Sequence, residues 1–344
     1  MADPVPERPI RVLQPFKEIL PTTNPYITML HRALEQTPGV EPLFFSYRRA
    51  LTGGYDVVHM HWPETRLGGR TRLRRAARLL FAFVYVFRVR LARKPIVRTV
   101  HNLERPSGLG RGDQSFLALI ERWTTLHIVL NAKTPDMGKP SVTIVHGHYR
   151  DWFDGVPRSE AVTGRIGYTG LVRRYKNVVG LVTAFRAARA DDPSLSLLVA
   201  GKPSGVDIED EVRRAASPDP AIALDLHFLD DDALVAAITS SELVALPYRH
   251  MHNSGSALLA LSLDRPVLVP VNDVNADLAR EVGAGWVHTF DGELDGESIH
   301  TALRASRAPR STRPDLTARD WDAAGQAHLE AYRLALRLRR SHRS

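Results

Sequence analysis

The stretch Gly170 to Phe185, GLVRRYKNVVGLVTAF, follows an apolar strand pattern at Gly164 to Thr169 and decides how the chain is read. Val178, Val179, Leu181, Val182 and Phe185 recur at the spacing of an amphipathic helix, which predicts a helix beginning near Asn177. Arg173 and Lys176 therefore fall in the loop between strand and helix. A second turn of this kind lies downstream, where strand Leu243 to Pro247 leads through Tyr248 to His252 into Asn253, Ser254, Gly255 and Ser256, and then into a helix from Ala257 to Leu263. The first N–H groups of a helix have no partner within it and attract anions. An arginine, a lysine and a helix start in one half of the chain suit a single diphosphate. Cations fixed around a departing diphosphate stabilise the charge that grows on it in the transition state.

The rest of the chain alternates strands with helices, the pattern of an α/β protein with parallel sheets whose sites lie at the carboxyl ends of the strands. In the first half the strands are predicted at Ile10 to Gln14, Glu41 to Phe45, Val57 to His61, Ile96 to His101, His127 to Asn131 and Ser141 to Val145, with a helix at Tyr26 to Gln36. Polar residues gather after these strands: Asn24 after the first, His61 and Glu64 after the third, and His101, Asn102 and Glu104 after the fourth. The second half continues with strands at Leu195 to Ala200, Ile222 to Phe228 and Val267 to Val271, helices at Ile208 to Ala216, Asp232 to Thr239 and Asn275 to Glu281, and a last helix over Trp321 to Arg340. The polar segment Tyr149 to Val162, with Gly155 and Pro157, reads as an interdomain linker. The expected division is a first domain over 1–150, a second over 151–314 and a C-terminal helix within 315–344.

In the order of these features the chain resembles the nucleotide-sugar-dependent glycosyltransferases of the GT-B fold, in which two Rossmann-like domains with parallel sheets face each other across a cleft. The similarity covers almost the whole length. It implies that Arg173 and Lys176 hold the donor diphosphate, beside the Asn253 to Ser256 turn. Leu258 to Pro270, LLALSLDRPVLVP, resembles the family's helix followed by a "G-x-P-V" strand. The pattern is also similar to that of bacterial mannosyltransferases acting on lipid-linked glycans, which implies a hexose moved from a nucleotide diphosphate sugar, with GDP-mannose favoured, to a saccharide or lipid-linked acceptor. The resemblance gives His101 a place near the transferred sugar and its phosphate. His61, Asn24 and Asn102 fall on the acceptor side, and Glu64 and Glu104 are the candidate bases if the enzyme inverts. Many members carry paired glutamates in the second turn; Met251 and Leu259 stand there instead, so ribose recognition does not carry over and the stereochemical outcome stays open. A sugar epimerase or phosphorylase of the same architecture, and a catalytically silent binder of sugar nucleotides or polyanions, are the alternatives.

Composition sets further bounds. The 344 residues, 44% apolar and 24% charged, suffice for two globular domains. Without any cysteine there are no disulfides or thiolate metal sites, and the start MADPVPERPI lacks the features of a signal peptide, so a cytoplasmic protein is expected, at the inner face of the cell membrane if it meets lipid. The formal charge of +8 is concentrated: from Thr65 to Leu103 there is no Asp or Glu, while Arg66, Arg72, Arg74, Arg75, Arg78, Arg88, Arg90 and Arg98 crowd around the apolar run LLFAFVYVF at Leu79 to Phe87. That run is far shorter than the roughly 20 residues that span a bilayer. It suits a helix lying on an anionic membrane through residues 66–98, or a core helix with a solvated basic face. No nucleic-acid-binding module is recognisable. Gly108, Gly110 and Gly112 lack dinucleotide-loop spacing, and Asp230 to Asp232 opens a helix where acidic caps are favoured, so neither points to NAD or a metal. The expectation is an enzyme with no cofactor and no metal, its nucleotide sugar being a substrate.

Overall fold

The computed structural model describes residues 8–20, 22–68, 71–103 and 108–341. The chain divides into two compact units, Met1–Gly147 with Arg319–Ser344, and His148–Ala318.

The first unit contains β1 (Ile10–Leu13), α1 (Pro25–Gln36), β2 (Val40–Leu43), α2 (Tyr47–Thr52), β3 (Val57–Met60), a 3-10 turn (Pro63–Arg66), α3 (Arg72–Leu91), β4 (Ile96–Val100), α4 (Arg111–Trp123), β5 (Leu126–Val129) and β6 (Ser141–Thr143). The strands form one parallel sheet in the order β2-β1-β3-β4-β5-β6. Every residue of β3 and β5 is buried, as expected of central parallel strands covered on both faces. The order reverses between β1 and β3, which places the switch point of this sheet at the ends of those strands. The basic segment forms α3, a helix with a buried and an exposed side. Ala82, Tyr85, Val86 and Val89 enter the core, whereas Leu73 (80% exposed), Leu80 (67%), Val84, Phe87 and Leu91 run along an exposed face.

The second unit contains β7 (Val162–Thr169), a 3-10 turn (Arg174–Lys176), α5 (Val178–Asp191), β8 (Ser196–Ala200), α6 (Val206–Ala216), β9 (Ile222–Asp225), α7 (Asp231–Thr239), β10 (Ser241–Ala245), α8 (Gly255–Ser262), β11 (Val267–Pro270), α9 (Asp273–Val282), β12 (Val287–Phe290) and α10 (Gly296–Ser306). Its sheet is parallel in the order β12-β11-β10-β7-β8-β9. The chain builds away from β7 through β8 and β9, then returns on the other side through β10. The two anion-attracting turns thus follow the two strands that flank the switch point, where ligands of open parallel sheets bind. Asp230 accepts from the Ala233 N–H at 2.9 Å and caps α7, as the sequence predicts.

The segment expected as a linker is instead bound into the second unit. Tyr149 and Phe153 are buried, the Tyr149 N–H donates to Ser262 Oγ at 2.9 Å, and the Arg150 guanidinium donates to the Pro314 carbonyl at 2.7 Å. Helices α2, α4 and α10 and strand β12 are additions to the predicted elements. The last helix, α11 (Trp321–Ser341), belongs to the first unit and packs on α1, β4 and β5. Gly325 permits the close crossing with α1, since a Cβ there would lie 2.2 Å from Thr37 Oγ1.

Candidate active site

In the second unit, β7 is followed by Gly170, whose φ of +119° is open to glycine and closed to most L residues. A Cβ at Gly170 would lie 3.3 Å from both Lys176 Nζ and Ser256 Oγ, so the missing side chain leaves a small space on which the lysine and the serine converge. Lys176 is only 8% exposed, and its ammonium sits 4.9 Å from the centre of the Tyr248 ring. Burial lowers its pKa to about 8, with the nearby Arg173 guanidinium adding to the effect. Among the described residues, no acid forms an ion pair with it. A cation held out of water without a counter-ion is costly, and an anion arriving there meets a charge already in place.

Ser254 caps α8, its Oγ accepting from the Ala257 N–H at 3.2 Å. Gly255 and Ser256 follow as its first helical residues, with backbone N–H groups that have no acceptor within the helix. Asn253 precedes the cap on the same loop. Arg173 is exposed and lines a depression of about 480 Å³ with Arg174, Asn177 and Arg249, to which Lys176 does not contribute. The neighbouring Arg174 is neutralised by Asp207 at 2.7 Å and Glu211 at 3.0 Å. Lys176 and Ser256 are therefore brought together, while Arg173 acts on them through its field. Met251, standing where relatives with the glutamate pair carry an acid, is tied by its carbonyl to Asn272 Nδ2 at 3.0 Å.

In the first unit, His61, Glu64, His101 and Asn102 line one polar pocket of about 320 Å³ at the ends of β3 and β4. Asn24 does not join them: its Oδ1 accepts from the Tyr26 N–H at 2.9 Å and caps α1. Glu104 lies outside the described residues. Trp62, which sequence reasoning passed over, stacks on His101 with centroids 3.9 Å apart and planes at 21°. Arg98 and Glu121 also line the pocket and form an ion pair with each other.

Behind the pocket wall the histidines form a chain. His61 Nδ1 is 3.2 Å from His101 Nε2, the His59 and His61 rings are 4.3 Å apart, and His59 bonds Tyr332 Oη and Thr99 Oγ1, each at 2.8 Å. His146 and His328 belong to the same buried region, with Tyr26 packed against His146 at 4.5 Å. Desolvation lowers the pKa of His61 to about 3 and those of His146 and His328 to about 4, and holds His59 and His101 well below the ordinary histidine value. At neutral pH all are uncharged, so in the His61–His101 contact one ring donates and the other accepts. The pattern His59-Met60-His61 where β3 ends, with two histidines at the alternation of a strand, carried a signal for this cluster. Nothing in the sequence marked His328 or Tyr332 as its partners.

Among the described residues, no group of three or more His, Cys, Asp or Glu side chains is placed to hold a metal ion. No model of a protein family matches the sequence. Two forms of GDP-mannose:glycolipid 4-beta-D-mannosyltransferase from Xanthomonas campestris pv. campestris are each 41% identical to the chain over 315 residues, covering 91% of it and 89% of their own length. Among solved structures, HepE of Anabaena in complex with UDP superposes with a TM-score of 0.55 at 14% identity, covering 97% of this chain and 98% of its own. The glycosyltransferase AviGT4 of avilamycin A biosynthesis gives 0.57 at 14% identity over 95% and 98%. Sucrose-phosphate synthase from Thermosynechococcus elongatus gives 0.55 at 15% over 98% of each. The fold is thus GT-B, and the chain belongs to the family of these Xanthomonas mannosyltransferases, which makes it a hexosyltransferase using a nucleotide diphosphate sugar.

Proposed function

We propose that the protein transfers mannose from GDP-mannose to the saccharide of a glycolipid, with inversion and with protein cations in place of a metal ion at the leaving group. The observation that carries this is the buried ammonium of Lys176, free of any acid in the described structure and set beside the start of α8. The relatives at 41% identity supply the sugar and the acceptor class. Their product is a β-mannoside, whereas GDP-mannose holds its sugar in α-linkage, so the same outcome here is a single displacement.

An acceptor hydroxyl attacks the anomeric carbon, the bond to the β-phosphate oxygen breaks, and the hydroxyl proton passes to a base. Glu64 is assigned that role, because Glu121 in the same pocket is already paired with Arg98. The negative charge gathers on GDP, where Lys176, Ser256 and the first N–H groups of α8 meet it and Arg173 adds its field. Neutral His101 offers a hydrogen bond to sugar or phosphate, and the Trp62 ring gives a sugar face something to stack on.

The glycolipid substrate also favours α3 as the contact with an anionic membrane surface. Its exposed apolar face is flanked by Arg72, Arg74, Arg88 and Arg90, and no helix among the described residues is long and apolar enough to cross a membrane. Arg75 is not available for this, since it pairs with the buried Asp113.

Thermal unfolding with a panel of UDP-, GDP- and dTDP-sugars, followed by transfer assays with saturating chelator, tests the proposal. GDP-mannose should give the largest stabilisation, about 2.7 kcal/mol at 100 times its dissociation constant. Mannosyl transfer should survive chelation. Preference for another nucleotide would refute the donor assignment, and a strict requirement for Mg²⁺ or Mn²⁺ would refute the protein-cation mechanism.

A further inference from the structure

A second cavity of about 320 Å³ lies in the first unit, lined by rings that include Phe45, Tyr47, Phe81 and Tyr85, with Lys17 and Arg78 in its wall. It is built from the loop after β1, the loop after β3 and the inner side of α3. It therefore sits at the switch point of the first sheet, a place no part of the proposed mechanism uses. The rings brace one another edge to face, Tyr47 against Phe81 at 4.8 Å and Phe45 against Tyr85 at 5.8 Å between centroids. Charge enters from one sign only. The Lys17 ammonium lies 4.9 Å from the centre of the Tyr47 ring, the Arg78 guanidinium donates to the Gly68 carbonyl at 2.5 Å, and among the described residues no acid lines the space. Both cationic residues are exposed, which places them at the mouth.

This cavity and the polar pocket of His101 and Glu64 are neighbours. Pro63 lines both, and the consecutive α4 residues Phe116 and Leu117 line one each. Only the 3-10 turn Pro63–Arg66 separates an aromatic space with a cationic mouth from a polar space with a candidate base. That order matches the chemistry of one molecule: hydrocarbon, then phosphate, then sugar.

We infer that the cavity receives the phosphate-proximal hydrocarbon of the lipid-linked acceptor, with its phosphate on Lys17 and Arg78 and its saccharide passing over the turn into the polar pocket. This rests on the glycolipid function proposed above and assigns the part of the acceptor that is not sugar. A volume near the lower end of ligand pockets, which run from about 300 to 1,000 Å³, takes a short length of chain. The remainder of the lipid stays in the bilayer beside the exposed Leu73 and Leu80 of α3. An ordinary phospholipid differs in carrying two chains branched at a glycerol, and a cavity of about 320 Å³ has no room for both.

Titration with farnesyl phosphate tests the inference, with farnesol, inorganic phosphate and dihexanoyl phosphatidylglycerol as comparisons. Farnesyl phosphate should bind saturably, farnesol and phosphate at least about tenfold more weakly, and the phospholipid should fail to compete. Filling the cavity with Ala82→Phe should lower farnesyl phosphate affinity by about tenfold or more. The paired change Lys17→Ala with Arg78→Ala, at exposed positions that leave the core intact, should do the same. Both variants should raise KM for a lipid-linked acceptor and spare transfer to a lipid-free saccharide analogue. Unchanged affinity in the Lys17 and Arg78 pair, or equal competition by the phospholipid, overturns the inference. Intact farnesyl phosphate binding with no mannosyl transfer to any acceptor would instead overturn the proposed function and leave the cavity's ligand in place.

Discussion

The second unit buries one lysine and the first buries a chain of histidines, and desolvation treats them in opposite ways. At Lys176 it lowers the pKa only to about 8, so the side chain is still charged at neutral pH and stores an unmet demand for an anion. At His61, with a pKa near 3, it removes the charge altogether, leaving an uncharged wall of hydrogen-bonding rings. Burial of an amine whose ordinary pKa is 10.5 makes an anion receptor; burial of imidazoles makes a neutral surface fit for a sugar. In the function proposed above, the same physical cause divides the work, diphosphate in one unit and saccharide in the other.

The sharpest way to break this contrast is at Lys176. Lys176→Met should cut kcat/KM by on the order of a hundredfold or more, because a preplaced charge at the leaving group is lost. It should also raise the melting temperature of the ligand-free protein. Lys176 has a folded pKa of about 8 against 10.5 for an ordinary lysine, so between those values the unfolded chain binds more protons and stability rises with pH. Below pH 8 the burial cost is present in full, about 3 kcal/mol, and the substitution removes it. Donor affinity should run the other way, weakening as pH rises through about 8 and the ammonium is lost. A destabilised Lys176→Met protein with normal turnover would contradict both halves of the prediction.

Glu64→Gln, on the other side of the comparison, should lower kcat by about a hundredfold with little change in donor affinity, and added formate, a small carboxylate base, should restore part of the rate if a base is missing. An unaltered kcat would transfer the role to another carboxylate, Glu104 first. Removing the α3 face with Leu80→Ser and Phe87→Ser should weaken binding to anionic vesicles by about tenfold or more, since Leu80 is 67% and Phe87 49% exposed apolar surface. Transfer to a soluble acceptor should be spared, and unchanged vesicle binding would assign that face to something other than lipid. Trp62→Ala should have the smallest effect, raising acceptor KM about tenfold, the equivalent of about 1.4 kcal/mol, with kcat nearly intact. A fall in kcat alone would mean that Trp62 serves to hold His101.

The sheets were legible because parallel strands buried on both faces are written as apolar runs such as Val57 to Met60 and Leu243 to Ala245, each followed by polar loops. Helix α4 is written at helical spacing in Phe116, Leu117, Ile120 and Trp123, and only its first turn, RGDQ, lacks an apolar period. Strand β12 escaped because an edge strand of VHTF buries only Phe290 fully. The order of elements along the chain marks the turn that holds Arg173 and Lys176, yet not the depth of Lys176, since sequence places a lysine in a loop without saying what lies beneath it. Tyr248 is what lies beneath it, and only the pairing of β10 with β7 brings the two together. His59, His101, His146 and His328 are likewise too far apart in sequence to read as one cluster, and a short polar pattern does not distinguish the Asn24 cap of α1 from a substrate contact. In sequence Arg75 is indistinguishable from the other arginines of α3, and it is Asp113, on the next helix, that sets it apart.

Calorimetric titration of GDP into the unaltered protein and into Lys176→Met at pH 7 tests the central claim most directly, because GDP carries the diphosphate and leaves out both mannose and acceptor. The expected result is saturable binding by the unaltered protein and affinity at least about a hundredfold weaker in the variant, a loss of about 2.7 kcal/mol. Equal dissociation constants for the two proteins would contradict it and show that the diphosphate is held elsewhere.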